Sequence, residues 1–117
     1  MKIERFEDIV AWQKAKLLTV KIYHLFQSHK DYSFCDQIKR AALSIMSNIA
    51  EGFERKTNKE FRQFLYIAKG SCGEVRSLIL FAQEIGYISS EQFTELYDQS
   101  VEISKILSGL IKSLSTV

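Results

Sequence analysis

The residues best suited to chemistry stand on one stretch, residues 37 to 55, QIKRAALSIMSNIAEGFER. With Arg40 set at 0° on a helical wheel, Ser44, Ser47, Asn48, Glu51 and Arg55 fall within an arc of about 100°, and Gln37 lies alongside. Such a set can donate and accept hydrogen bonds and can hold a charged group. The apolar residues of the same stretch centre on the opposite side, so the stripe does not line the core its own helix faces. Three uses fit it: a solvated face, a hydrogen-bonded seam against a neighbouring subunit, or a surface for a ligand or nucleic acid. Ser and Asn have poor propensity in mid-helix, and their short side chains let another backbone come close. That favours the seam.

A second set is cationic. Arg62, Lys69 and Arg76 recur every seven residues. They therefore line one side of a helix over about 21 Å, with Tyr66 beside them. Cations spaced by about 10 Å can meet successive phosphates, and an aromatic neighbour can stack on an exposed base. Lys39, Arg55, Lys56 and Lys59 extend the row into one basic region where the second helix ends and the third begins. The competing reading is an ordinary solvated edge, its cations paired with nearby Glu residues.

No set of residues makes a convincing catalytic centre. Glu51 and Glu74 could be imagined as an acid–base pair, but nothing in the sequence fixes their separation. Ser44 and Ser47 lack an identifiable base. His24 and His29 are five residues apart, off a common helical face, and no CxxC occurs. A non-enzymatic chain without metal or cofactor is expected, with Cys35 and Cys72 as buried reduced thiols. Gly70, Ser71 and Gly73 interrupt a strong helical pattern at about 1 kcal/mol for each glycine. They are expected to serve close helix packing, because a phosphate-cradling glycine turn needs a strand before it.

These residues must be positioned by helices. The chain has 117 residues, five glycines and no proline. So little turn punctuation argues for long helices over strands. Hydrophobic residues at 46% and charged residues at 26% are the proportions of a globular domain, expected over residues 1 to 117. No apolar run is long enough to span a membrane, and the N-terminus has acidic residues where a secretory signal has its apolar core. A cytoplasmic protein is expected. Charge is uneven: residues 1 to 76 hold 14 Lys and Arg against 9 Asp and Glu, and residues 77 to 117 hold 2 against 5. The basic part hints at an anionic partner.

Four helical segments can be read. The first runs from about Ile9 to Ser28, with one broad apolar face (Ala11, Trp12, Ala15, Leu18, Ile22, Leu25, Phe26) and a second group opposite (Ile9, Val10, Leu17, Val20). Two faces imply contact with another subunit. Ser33 is placed to cap the second helix, Thr57-x-x-Glu60 is a capping box for the third, Gly86 ends it, and Ser89-x-x-Gln92 caps the fourth. Short connections make an antiparallel up-down-up-down four-helix bundle the economical all-α solution.

The stretch 37 to 55, followed by KEFRQFLYIAKGSCGE, resembles the family of 23S rRNA intervening-sequence proteins. Phe6, Val10, Trp12, Gln13 and Ala15 support the likeness upstream, and Leu78, Ala82, Gly86 and Tyr87 support it downstream. At family-motif positions stand Arg40, Ser44, Asn48, Glu51, Gly52 and Arg55, then Gly70, Ser71 and Glu74. The chain departs from the family where Met46 replaces a common proline and where Arg76 replaces an acidic residue. The family is related to accessory proteins of diversity-generating retroelements, which form basic pentameric barrels that bind nucleic acid. The resemblance thus implies four-helix protomers, a homopentamer and RNA or DNA binding, and no known reaction. The expected function is nucleic-acid binding by an oligomer, through Lys39, Arg55, Lys56, Lys59, Arg62, Lys69 and Arg76. The alternative is an adaptor whose partner is another protein.

Overall fold

The computed structural model describes residues 3 to 115. A 3-10 turn, Phe6–Asp8, leads into four helices: α1 (Val10–Leu25), α2 (Tyr32–Phe53), α3 (Asn58–Glu84) and α4 (Ser90–Ser115). The described residues contain no strand.

Local chemistry accounts for most helix ends. Thr57 Oγ1 accepts from the Glu60 N–H at 3.1 Å and so starts α3. At α4, Gln92 N–H donates to Ser89 Oγ at 3.1 Å while Ser89 N–H donates to Gln92 Oε1 at 2.9 Å, the reciprocal capping box. Gly86 takes φ +79° just past α3. There Gly86 N–H donates to the Gln83 carbonyl and Tyr87 N–H to the Ala82 carbonyl, which satisfies two orphan carbonyls of the last turn.

Two ends differ from expectation. The cap of α2 is Asp31, not Ser33: the Asp31 carboxylate accepts from Phe34 N–H at 3.1 Å, and its other oxygen accepts from the Tyr87 hydroxyl at 2.5 Å. The second bond fixes the carboxylate from across the bundle, so the helix starts at Tyr32 and Ser33 falls inside its first turn. Helix α1 stops at Leu25, three residues early, because Phe26 turns inward. Its ring, 2% exposed, packs edge-to-face on Phe34 at 5.3 Å.

Each helix packs on its chain neighbours, and α1 also packs on α4; the diagonal pairs α1–α3 and α2–α4 make no contact. That is the square of an up-down-up-down bundle. The long extent of 45 Å matches α3, whose 27 residues span about 40 Å, so the helices run along the long axis. Leu18, Ile22, Ile38, Ile45, Ile49, Leu65, Ile79, Ile103 and Leu107 fill the centre. The buried hydroxyls are answered: Thr19 Oγ1 lies 2.7 Å from the Ala15 carbonyl and 3.1 Å from that of Ala42, and Ser100 Oγ donates to the Tyr97 carbonyl, whereas the buried Gln99 Oε1 has no partner. Ile9 belongs to this core at 3% exposure rather than to the outer face of α1, where Val10, Leu17 and Val20 do stand exposed. It is the cap residue of α1, and its extended backbone turns the side chain inward.

Candidate nucleic-acid interface

The polar stripe of α2 sits along its edge with α3. Asn48 Nδ2 donates to the Ser44 carbonyl at 2.8 Å and to Ser44 Oγ at 2.9 Å. Ser44 Oγ also lies 2.8 Å from Ser71 Oγ on α3, a bond in which either hydroxyl can donate. One turn-pair further on, Gln37 Nε2 donates to Glu74 Oε2 at 3.3 Å. The favoured reading gave the stripe a neighbouring subunit as its partner; for Ser44 and Gln37 the partner is instead α3 of the same protomer. The outermost members answer one another along α2: Arg40 meets Asp36 at 2.9 Å, and Arg55 meets Glu51 at 3.3 Å. Ser47 bonds back to the Ser44 carbonyl.

Three glycines of these stretches play two different parts. Gly52 is buried, and a Cβ built on it would lie 2.6 Å from Phe64 Cβ and 3.0 Å from Phe61 Cδ1. It is where α2 and α3 come closest. Gly70 and Gly73 do not serve close packing within the protomer. A Cβ at Gly70 would meet nothing within 4 Å, and one at Gly73 would reach only the Arg76 guanidinium at 3.8 Å. Gly70 lies exposed on the outer side of α3, and Gly73 lies half-buried beside Arg76.

The cations of α3 lie on its other edge, toward α4. Arg62 Nη1 donates to the Leu114 carbonyl at 3.1 Å, satisfying an orphan acceptor at the C-terminal end of α4. Arg76 stands beside Cys72, whose Sγ donates to the Ser100 carbonyl of α4 at 3.0 Å. Burial pushes that thiol up to about 11, so it stays protonated at neutral pH, and the Arg76 charge opposes only part of the shift. Lys69 lies between them in the same seven-residue register. Arg62, Lys69 and Arg76 are each half-buried along their stems, as cations are when only the charged tip reaches water. Among the described residues no carboxylate comes within 4 Å of Lys56, Lys59, Arg62, Lys69 or Arg76. The ion pairs to nearby Glu that a solvated edge was expected to form are not made at these five cations.

The remaining cations of the set separate. Lys56 and Lys59 are exposed at the α2–α3 turn, next to Arg62. Arg55 is held by Glu51, and its guanidinium carbon lies 4.7 Å from the Phe64 ring centroid. Lys39 does not join the region. It sits on the α1 side of α2 with its ammonium 5.3 Å from the Tyr23 ring, about 24 Å along the helix from Arg55.

Two lysines were passed over because residues 77 to 117 carry a net acidic charge. On α4, Glu95 and Glu102 pair with Lys21 and Lys14 of α1. Lys105 and Lys112 are exposed, seven residues apart, and turned about 80° from those acids toward the α3 side. Lys105 borders a shallow surface hollow with Asp98 and Glu102 of its own helix. Seven-residue spacing was the available signal.

Glu51 and Glu74 do not face each other as a pair: each has its own donor, Arg55 and Gln37. Among the described residues no three His, Cys, Asp or Glu side chains gather closely enough to hold one ion. No described helix is long and apolar enough to cross a membrane.

Comparison with known proteins agrees with this architecture. The family model for the 23S rRNA-intervening sequence protein matches residues 7–109. No curated protein matches the chain. A similar solved structure is that of a protein of unknown function from the S23 ribosomal protein family of Bacteroides thetaiotaomicron. It superposes with a TM-score of 0.83 at 28% identity, over 88% of this chain and 99% of that one.

Proposed function

The chain belongs to the 23S rRNA-intervening sequence protein family, and on that premise we propose that it is a non-enzymatic, cytoplasmic, homo-oligomeric protein that binds RNA or DNA. The observation that carries the reading is the acid-free edge of α3 described above. Cations without counter-ions in a protomer of net charge +2 form a local positive field, and copies of that edge around an oligomer add to one another. Lys56, Lys59, Arg62, Lys69 and Arg76 supply phosphate contacts. The contacts are to backbone, so recognition follows the shape of the nucleic acid rather than its sequence.

The test is fluorescence anisotropy with a structured RNA and a DNA duplex. About five phosphate contacts reduce affinity on the order of 500-fold between about 50 and 200 mM salt. Lys69→Glu with Arg76→Glu abolishes binding; Arg62 is left out of that variant because it also caps α4. No binding to either probe at low salt, or binding that ignores salt, removes the reading.

One observation favours the second reading, a protein–protein adaptor without a nucleic-acid partner. Tyr66 and Phe81 are 59% and 48% exposed on the outer side of α3. Failure of the anisotropy test together with stoichiometric co-purification of one unrelated protein selects it.

A further inference from the structure

The two exposed aromatics of α3 differ in their surroundings. Phe81 keeps ring partners inside the protomer, Phe34 at 5.9 Å and Tyr87 at 6.5 Å between centroids. Tyr66 is the more exposed, and among the described residues its ring meets no other ring and its hydroxyl no hydrogen-bond partner. Packing therefore accounts for Phe81 in part and for Tyr66 not at all. What surrounds Tyr66 is charge. Arg62 and Lys69 stand one turn before and one turn after it, turned about 40° and 60° toward the α4 side, and Lys59 is two turns before it and nearly in line. No carboxylate pairs with any of the three among the described residues. The acids of α3 lie off this sector: Glu74 is turned about 80° toward α2 and Glu60 about 120°, while Glu84, in line with Tyr66, is about 27 Å farther along.

The ground beside the ring is bare. Gly70, one turn on from Tyr66, is exposed, and a Cβ there would meet nothing within 4 Å. Beyond it the Arg76 guanidinium lies back along the helix, with Nη2 3.8 Å from the place of a Cβ on Gly73. Tyr66 and Arg76 thus set two planar groups at either end of a stretch floored by glycine. Aromatic rings and guanidinium planes are the groups that stack on the face of an unpaired base, and cations beside them meet its phosphates. Within a duplex each base face is covered by the next pair, and exposing one costs free energy. Against a duplex, then, Tyr66 reaches only sugar and phosphate.

Resting on the nucleic-acid reading above, we propose that this face of α3 takes an unpaired strand, with one base over Gly70 against Tyr66 and Arg76 and the neighbouring phosphates on Lys59 and Lys69. A guanidinium stacks with its face and donates in its plane, so Arg76 keeps its phosphate contact. The cations set affinity for any nucleic acid. Tyr66 sets the preference for a single strand over a duplex. Stacking uses a face that every base has, so no sequence preference comes with it. Gly70, which has no packing role in the protomer, leaves the room the base occupies.

Anisotropy at one fixed salt concentration tests this with oligouridine and oligodeoxythymidine strands on the order of a dozen nucleotides, each also annealed to its complement. The wild type binds at least one strand more tightly than the duplex made from it. Tyr66→Ala weakens binding of that strand on the order of 10-fold, leaves the duplex unchanged and leaves the thermal midpoint where it was. Tyr66→Trp retains the preference. Gly70→Leu fills the place of the base and lowers strand binding alone, and Phe81→Ala leaves the ratio of strand to duplex affinity as it was. Equal losses on strand and duplex from Tyr66→Ala, or no loss on either, overturn the proposal. Steep salt dependence without a preference for the unpaired strand removes this inference and spares the reading it rests on. No binding of any probe removes both.

Discussion

The two edges of α3 are built to opposite rules. Toward α2, polar groups are matched within hydrogen-bond distance: Ser71 with Ser44, Glu74 with Gln37, and Gly52 opposite Phe64 with no room for a methyl group. Toward α4, cations line a groove with no carboxylate in reach among the described residues. The first edge contains the most recognisable residues of the sequence, and the bundle uses them to hold itself together. The second is made of ordinary lysines and arginines whose charges remain available. Distinctive residues mark what the fold cannot change, and available ones mark where a partner can act.

Substitutions test that contrast, beginning where the effect is greatest. Gly52→Ala drives a Cβ into Phe64 and Phe61, and overpacking at a helix contact lowers stability by about 1 to 3 kcal/mol, read as the shift in urea midpoint. A neutral Gly52→Ala would mean that the two helices part easily, and the matched edge would lose its distinction. Ser44→Ala removes the shared acceptor of Asn48 and the partner of Ser71, lowering stability by about 1 kcal/mol. On the other edge, Lys69→Gln and Arg76→Gln change the urea midpoint by no more than about 0.5 kcal/mol equivalent while each weakens nucleic-acid binding. A larger loss of stability would show that these cations have hidden structural partners.

The smallest effect is a pH dependence at the end of the matched edge. The Tyr87 hydroxyl, and then Phe34 N–H, hold the Asp31 carboxyl below its ordinary value, and the same Asp31 bond pushes the Tyr87 phenol above its own. Asp31 therefore contributes stability above the ordinary carboxylate range and loses it as pH falls through the depressed value. Tyr87 contributes below its ordinary value near 10 and loses it as pH rises through the raised one. Tyr87→Phe flattens both limbs of the stability–pH curve measured by thermal unfolding, leaving the midpoint region near neutrality the least changed in slope.

Much of the architecture was legible because its signals are local. The capping boxes at Thr57 and Ser89, the glycine stop at 86 and the apolar spacing of α2 to α4 each depend on residues within a turn or two. The cap of α2 was not legible. The choice of Asp31 over Ser33 depends on Tyr87, 56 positions away. Glycine shows the same limit more sharply. At 52, 70 and 73 its local cost is alike, and only the neighbouring helix tells an obligatory gap from an open surface. The cations were visible as a row, yet only the fold shows that Glu95 and Glu102 of α4 pair with Lys21 and Lys14 of α1 instead of with them. Lys105 and Lys112 were hidden by an average taken over the acidic part of the chain.

The square of contacts has a kinetic consequence. Three of its four sides join helices adjacent in the chain, so most native contacts form across short loops, and such bundles fold within microseconds to milliseconds. The fourth side, α1 with α4, is the one closure over a long separation. As the chain emerges from the ribosome, α1, α2 and α3 meet first, leaving Leu18 and Ile22 covered on one flank only. Of the four helices α4 is made after the others and seals α1, and until then that opened flank is where a nascent chain is most exposed to misassembly.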